Sequence, residues 1–465
     1  MLRIVIEKEL KDCIYGYRSL LVFVLAVTLF ILAIVTGARK YQSDLREYRL
    51  AQARLHDQLS EKTTLWAFST AGLELTKHPP VLEILVNGIE PFTPQLYYLN
   101  VFYPPAPRGS TTSENPIGAV YGSLDILFIV LVVLSLAALA FTFSTICGEK
   151  ETGTLKLQLA NPLPKDILIL GKLLGNLLGL LVPVALSLLF AFLLLAAMPE
   201  VTLQTGDLAR IALLGLDFFL FITVMFSLGI CISTLTTRTT TAFGICLVAW
   251  VFLVAIIPKV ALMAATTIAP GESLEAFEMR KTEVDRHGSA DLDEMIQRYM
   301  EAHPGKAVPH EAYDDMLKKV RQQQNEEFTR LEEEYLQRKQ DQARWAEVLA
   351  RFSPAGSVSA AAMALAQTGL GRDIRFRTAL RNYHADFVAY YDRKTDAMNA
   401  QAKDDPKGAN LAEKQAFEDV PPFEFHGELL SVSVSHALPD MGLLVLWAIV
   451  FFAIAYFRFL SYDVR

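Results

Sequence analysis

The chain alternates between long apolar runs and stretches dense in charge. Runs free of Asp, Glu, Lys and Arg cover Ser19–Ala38, Ile126–Gly148, Leu173–Pro199, Thr239–Pro258 and Met441–Phe457; Ile211–Thr237 carries one acid, Asp217. About 20 apolar residues suffice for a helix to cross roughly 30 Å of hydrocarbon. The pattern predicts six transmembrane helices, at 19–38, 124–147, 173–198, 208–235, 239–265 and 438–460. The last reaches spanning length with Leu438 and Arg458–Leu460 at the interfaces. The first run is longer than a signal-peptide core and no small-residue cleavage site follows it, so it is expected to remain as a membrane helix.

The polar segments have patterns of their own. In residues 1–18, Ile6, Leu10, Cys13/Ile14 and Tyr17 recur at helical spacing between Glu7, Lys8, Lys11 and Asp12. This fits an amphipathic helix lying in the interface before the first span, or a helical extension of that span. Two long segments, 39–123 and 270–435, separate spans one and two and spans five and six. Tyr41, Leu45, Tyr48, Gln52, Leu55 and Leu59 alternate steps of four and three. So do Leu317, Val320, Gln324, Phe328, Leu331 and Tyr335, and Leu380, Tyr383, Phe387 and Tyr390. Such seams predict helices packed side by side. "SPAGS" and "TGLGRD" break the chain between the second and third seams. The Pro- and aromatic-rich stretch from His78 to Pro116 reads as ordered loop with short strands or turns. The expected fold is an all-α integral membrane protein with six transmembrane helices, plus a helical domain at 270–435 whose two main helices run antiparallel.

Charge sets the expected orientation. The short segments Met1–Arg18, Gly148–Lys172, Thr236–Thr240 and the tail after Leu460 hold the short-loop Lys and Arg residues, whereas Pro199–Asp207 has Glu200 and Asp207 and no base. The positive-inside bias makes both termini cytoplasmic and both long segments extracytoplasmic, as in a multi-pass protein of a bacterial inner membrane. The net charge of −7 comes with no basic patch, so nucleic acid is not an expected partner. The four cysteines, Cys13, Cys147, Cys231 and Cys246, lie in or beside spans, which disfavours a disulfide framework. The eight histidines, His56, His78, His287, His303, His310, His384, His426 and His436, all fall in the two long segments, with no tight ligand spacing. No metal is expected.

The segment "CGEKETGTLKLQLANPLPKDILILGK", Cys147–Lys172, carries seven charges between two apolar runs. Gly148 and Gly153 permit a break, and Thr154 is placed to cap a new helix. "LKLQLA" forms a short amphipathic helix that "NPLP" ends. Pro164 opens the next helix with Asp166 in its first turn. The predicted shape is a small rigid helix, flanked by breaks, across the mouth of the bundle. There is no phosphate-binding loop of the G-x-x-x-x-G-K-[ST] type, so ATP, if it drives this protein, binds another chain.

This stretch resembles the cytoplasmic loop of ABC-2 type transporter permeases. Glu149, Glu151, Gly153, Thr154, Leu155, Leu159, Pro162, Lys165, Gly171 and Lys172 match the family pattern. The large segment before the last span, with "RFSPAGSVSAAAMALAQTG", is similar to a subfamily carrying that extension. The resemblance implies a permease that works as a dimer, identical or homologous, with a separate ABC ATPase that binds ATP and Mg. It implies that Glu149, Glu151, Gly153, Thr154, Leu155, Leu159, Pro162 and Lys165 couple to that ATPase, and that the chain itself has no cofactor and no catalytic residue. Transport is expected to be outward. A rival is a force-transmitting complex acting on a periplasmic protein.

Two further features stand out. Asp217 inside the fourth span is either a substrate or coupling contact facing the bundle interior, or an acid near the interface or paired with Arg210. Gly171, Gly175 and Gly179 repeat every four residues, a stripe that lets helices approach closely, within the subunit or at a dimer seam.

Overall fold

The structure, a computed structural model, describes residues 2–14, 16–61, 72–108, 124–160, 164–198, 201, 203–404 and 419–462. Six helices are long and apolar enough to cross a membrane. After α1 (Leu2–Ile14), the spans are carried by α2 (Tyr17–Glu61), α3 (Ile126–Glu151), α5 (Lys165–Ala196), α6 (Thr205–Leu235), α7 (Thr239–Ile268) and α12 (Leu430–Leu460), and α4 (Thr154–Ala160) lies between α3 and α5. An all-α membrane architecture follows. Helix α2 does not stop where its apolar run stops. Its 45 residues span about 68 Å at 1.5 Å per residue, twice a hydrocarbon core. Both α3 and α7 contain a π-helical segment, Ile129–Leu134 and Val251–Ile256. The indole N–H of Trp250 donates to Ser135 Oγ at 2.7 Å and ties the two together.

The second unit stands at the end of the bundle opposite α4. Helices α8 (Leu274–Ala302) and α9 (His310–Ala350) form an antiparallel hairpin. Phe277 and Tyr335 stack at 4.4 Å, and Arg280 reaches Glu272 and Glu334 at 3.0 and 3.3 Å. The antiparallel pair is present, but the partner of the Leu317–Tyr335 seam is α8, not the helix containing Leu380. Apolar residues in α8 are too diluted by charge for its period to show in sequence. The Leu380 seam belongs to α11 (Leu370–Asp404) and faces a small sheet instead.

That sheet is antiparallel, in the order β1 (Leu73–Thr76), β2 (Leu96–Leu99), β3 (Ala106–Pro107). Its alternation puts Leu73, Leu75, Tyr97 and Leu99 on one face, against Phe376, Leu380 and Phe387 of α11. Buried charges seal the junction: Lys77 Nζ lies 2.9 Å from Glu90, and Arg372 Nε lies 3.6 Å from the same carboxylate.

Helix α10 (Pro354–Ala366) departs from a domain standing wholly apart from the bundle. It packs against α6 and α12. Ser353 caps it and Pro354 opens it, so "SPAGS" starts a helix as well as ending one. Its face of Ala355, Ser357, Val358, Ala361 and Ala362 is buried, since small side chains let it lie close to its neighbours.

Candidate functional site

The segment between α3 and α5 is clasped at each end. After a turn at 143–146, the backbone N–H groups of Ile146 and Cys147 donate to Ser233 Oγ at 2.9 and 3.0 Å. Lys150 Nζ donates to the carbonyls of Thr234 and Thr236 at 2.5 and 3.1 Å, filling acceptors that the end of α6 leaves open. Glu151 accepts from the Thr239 backbone N–H and hydroxyl at 2.9 and 2.8 Å, an anion at the N-terminus of α7. On the far side, Lys165 Nζ donates to the carbonyls of Leu460 and Tyr462 at 3.1 and 2.9 Å, at the end of α12.

Between these clasps, Gly153 takes φ +76°, a left-handed conformation in which a Cβ is strained, and α4 begins at Thr154. Leu155 is fully buried and Leu159 half-buried, the two sharing one face, while Leu157 is 71% exposed. Leu155 and Leu159 therefore seat the helix on its own chain, and the exposed apolar face is that of Leu157. Pro162 lies outside the described residues.

Lys172 is the centre of the site. It is 1% exposed, and its Nζ donates to Glu149 at 2.7 Å and to Glu9 at 3.0 Å. Gln158 Nε2 of α4 donates to the same Glu149 oxygen at 2.7 Å. One ammonium thus ties α1, the end of α3 and α5 together, with α4 attached through Gln158. The glycine stripe explains how α1 gets there. A Cβ on Gly171, Gly175 or Gly179 would come within 2.6, 2.5 and 2.6 Å of Val5, Glu9 and Cys13 respectively. The three glycines hold α1 parallel to α5 within the subunit. Cys13 Sγ adds a contact to Asn176 Oδ1 at 3.2 Å.

Asp217 sits twelve residues into α6, about 18 Å along the helix axis. It is fully buried, and neither carboxyl oxygen has a hydrogen-bond partner among the described residues. Arg210 is not its partner: that guanidinium donates to Leu365 O at 3.1 Å, Ser433 Oγ at 2.8 Å and Glu428 O at 2.5 Å. Among the described residues, the charge that bears on Asp217 is that of Asp440 in α12, which packs against α6. Asp440 is itself 1% exposed and paired with Arg351, at the end of α9, through contacts of 2.6 and 3.1 Å. Of these two acids from different spans, Asp440 is held by a cation delivered by the hairpin and Asp217 is not. No group of three His, Cys, Asp or Glu side chains suited to a metal occurs among the described residues.

A comparison with protein families matches residues 3–464 to ABC-2 family transporter protein. The chain belongs to the ABC-2 transporter family. A comparison with curated proteins found no match. The family makes this chain a membrane permease component of an ABC transporter, in which the segment around α4 and the acids of the span core are the features to account for. Sequence reasoning singled out Glu149, Glu151, Gly153 and Asp217, and the structure places both glutamates in hydrogen bonds within the chain. Sequence reasoning missed what Glu9, Leu157, Lys172, Arg351 and Asp440 do. Leu157 was within reach, because a residue midway between Leu155 and Leu159 lies on the opposite face of a helix. Asp440 was hidden by a charge-free run that begins one residue after it.

Proposed function

We propose that this ABC-2 permease is the membrane half of an ATP-driven exporter in a bacterial inner membrane, with both termini cytoplasmic. A separate ABC ATPase binds ATP and Mg and grips α4. The observation that carries this reading is the exposed Leu157 on a helix whose opposite face and flanks are fixed to four other helices. A grip on α4 displaces α3 and α5 directly, and reaches α1 through Lys172 and α12 through Lys165. Helix α7 leaves Phe243, Leu247, Val248 and Phe252 exposed, which supports a lipid boundary or a second permease, identical or homologous, on that side. Asp217 and Asp440 are the residues of the span core assigned to the translocation path.

The test is co-purification with the ATPase. Leu157→Glu places a charge on the gripping face without touching the chain's own core, and is expected to abolish assembly while leaving thermal stability unchanged. Intact assembly and normal stimulated ATP hydrolysis in this variant would sink the docking role. A second reading is force transmission to a periplasmic protein. It draws on α2, which runs unbroken far beyond its apolar stretch, and on the Arg351–Asp440 link between hairpin and last span. Reconstituted vesicles separate the two: an exporter moves cargo on ATP addition, whereas a transmitter hydrolyses ATP only.

A further inference from the structure

A cavity of about 230 Å³ opens where the hairpin meets the β-sheet unit. Its walls are mainly apolar: Phe92 from the 3₁₀ turn before β2 and Pro94 just after it, Phe277 from α8, and Phe328 and Tyr335 from α9. For scale, a cavity of about 150 Å³ takes one benzene. A second, more polar cavity of about 370 Å³ shares Glu332, Leu336 and Arg377 with it and is lined further by Gln337, Gln340, Thr378 and Arg381.

The charges around the apolar cavity are unequally satisfied. Lys281 has Glu278 at 3.7 Å and stands 5.6 Å from the centre of the Phe277 ring. Arg377 Nε donates to Asp373 at 2.9 Å. Glu332 makes no hydrogen bond or ion pair among the described residues, although Lys281, Arg377 and Arg381 attract it from beyond contact distance. Burial raises its carboxyl above the usual carboxylate range. A half-buried carboxylate with unused acceptor capacity calls for donors from a ligand. The unmet acceptor, rather than the rings, selects a cation here: Phe277 and Tyr335 stack on each other at 4.4 Å, each with a lysine over its ring, so they offer a ligand their edges.

We propose that this cavity binds a small organic cation, a primary ammonium on an apolar body the size of one aromatic ring. Glu332 accepts the ammonium's hydrogen bonds, and Phe277, Phe328 and Tyr335 enclose the ring. The site joins three separately anchored elements, so an occupant fixes the angle between hairpin and sheet unit. Nothing in this proposal depends on the ATPase.

Titration calorimetry on the purified full chain tests it with three probes of one size: 2-phenylethylammonium, neutral 2-phenylethanol and anionic 3-phenylpropanoate. The amine is expected to bind best. Glu332→Gln should weaken the amine about tenfold or more, the loss expected of a charge-assisted hydrogen bond, with no effect on the alcohol. Leu274→Trp, at a rim position 56% exposed, narrows the mouth without entering the core and should weaken the amine as well. Lys281→Gln should leave the amine unchanged or strengthen it. The proposal is overturned if no probe binds, if the propanoate binds as well as the amine, if Lys281→Gln weakens the amine, or if Glu332→Gln in a chain of unchanged melting temperature leaves its affinity intact.

Discussion

Replacing Lys172 with Met keeps most of the side-chain volume and removes the charge that joins Glu9 to Glu149. The ammonium is 1% exposed and lies 3.0 and 2.7 Å from the two carboxylates, whose side chains are 12% and 18% exposed. Removing one partner of a buried pair costs about 3–5 kcal/mol, because the remaining charge is stranded. Here the acids keep some water, and Glu149 keeps Gln158 as a donor. The low end, about 3 kcal/mol, is the expected loss. Membrane proteins often unfold irreversibly, so a global midpoint is a poor readout. Hydrogen exchange reads the effect locally. Amides of α1 and α4 should lose protection together in Lys172→Met, while those of α6 and α11 hold. The triple variant Glu9→Gln, Glu149→Gln, Lys172→Met removes all three charges and should recover much of the loss. Unchanged protection of α1 in Lys172→Met, or loosening of α1 with α4 unaffected, would refute the idea that one ammonium holds these elements in register.

Gly153→Ala meets no steric obstacle, since nothing lies within 4 Å of the added Cβ, but the residue sits at φ +76°. The strain of about 1–2 kcal/mol should appear as a lower thermal midpoint and weaker ATPase assembly, with Gly153→Asn the milder change. Gly175→Ala brings a Cβ within 2.5 Å of Glu9 and should expose α1 to limited proteolysis while the hairpin of α8 and α9 keeps its protection. His384 accounts for a pH effect: its ring nitrogen lies 2.8 Å from Asn100 O, and burial holds its pKa below 6.5. The folded state therefore resists protonation more than the unfolded state does. Its contribution is complete above pH about 6.5 and falls away as pH drops from there toward the folded value. Exchange protection of β2 and α11 should fall from pH 7 to pH 5, and His384→Asn should flatten that dependence; His78, also lowered by burial, sets the residual slope.

The six spans were legible because each apolar run is long enough for its own length to decide the matter, and the break at Gly153 was legible because few other residues take a positive φ cheaply. What sequence could not carry was pairing. Helix α8 has too few apolar residues to announce a partner, yet it, not the Leu380 helix, closes against α9. Helix α10 is 13 residues long, too short for a span, and only its packing on α6 and α12 shows that it belongs with the bundle. The same limit applies to the buried charges. Glu9 and Lys172 stand 163 residues apart, and Arg351 and Asp440 89 apart, so no local window contains either pair.

These long-range charges also say where the molecule is rigid. Lys150, Glu151 and Lys165 each spend their hydrogen bonds on the end of a different helix, α6, α7 and α12, and Lys172 joins Glu9 within α1 to Glu149 of α3. A loop that merely connected α3 to α5 would leave those groups to water, where their hydrogen bonds add little. Fixed in this way, α4 cannot be displaced without loading all four neighbours at once. At the other end of the bundle, Arg351 repeats the arrangement by holding α9 to α12. Helix α12 is thus tied both to the α4 end, through Lys165, and to the hairpin, through Asp440, and α7 likewise runs from Glu151 at its start to packing against α9 at its end. A displacement of α4 would have a route of named contacts through Lys165 and α12 to Arg351 and the hairpin.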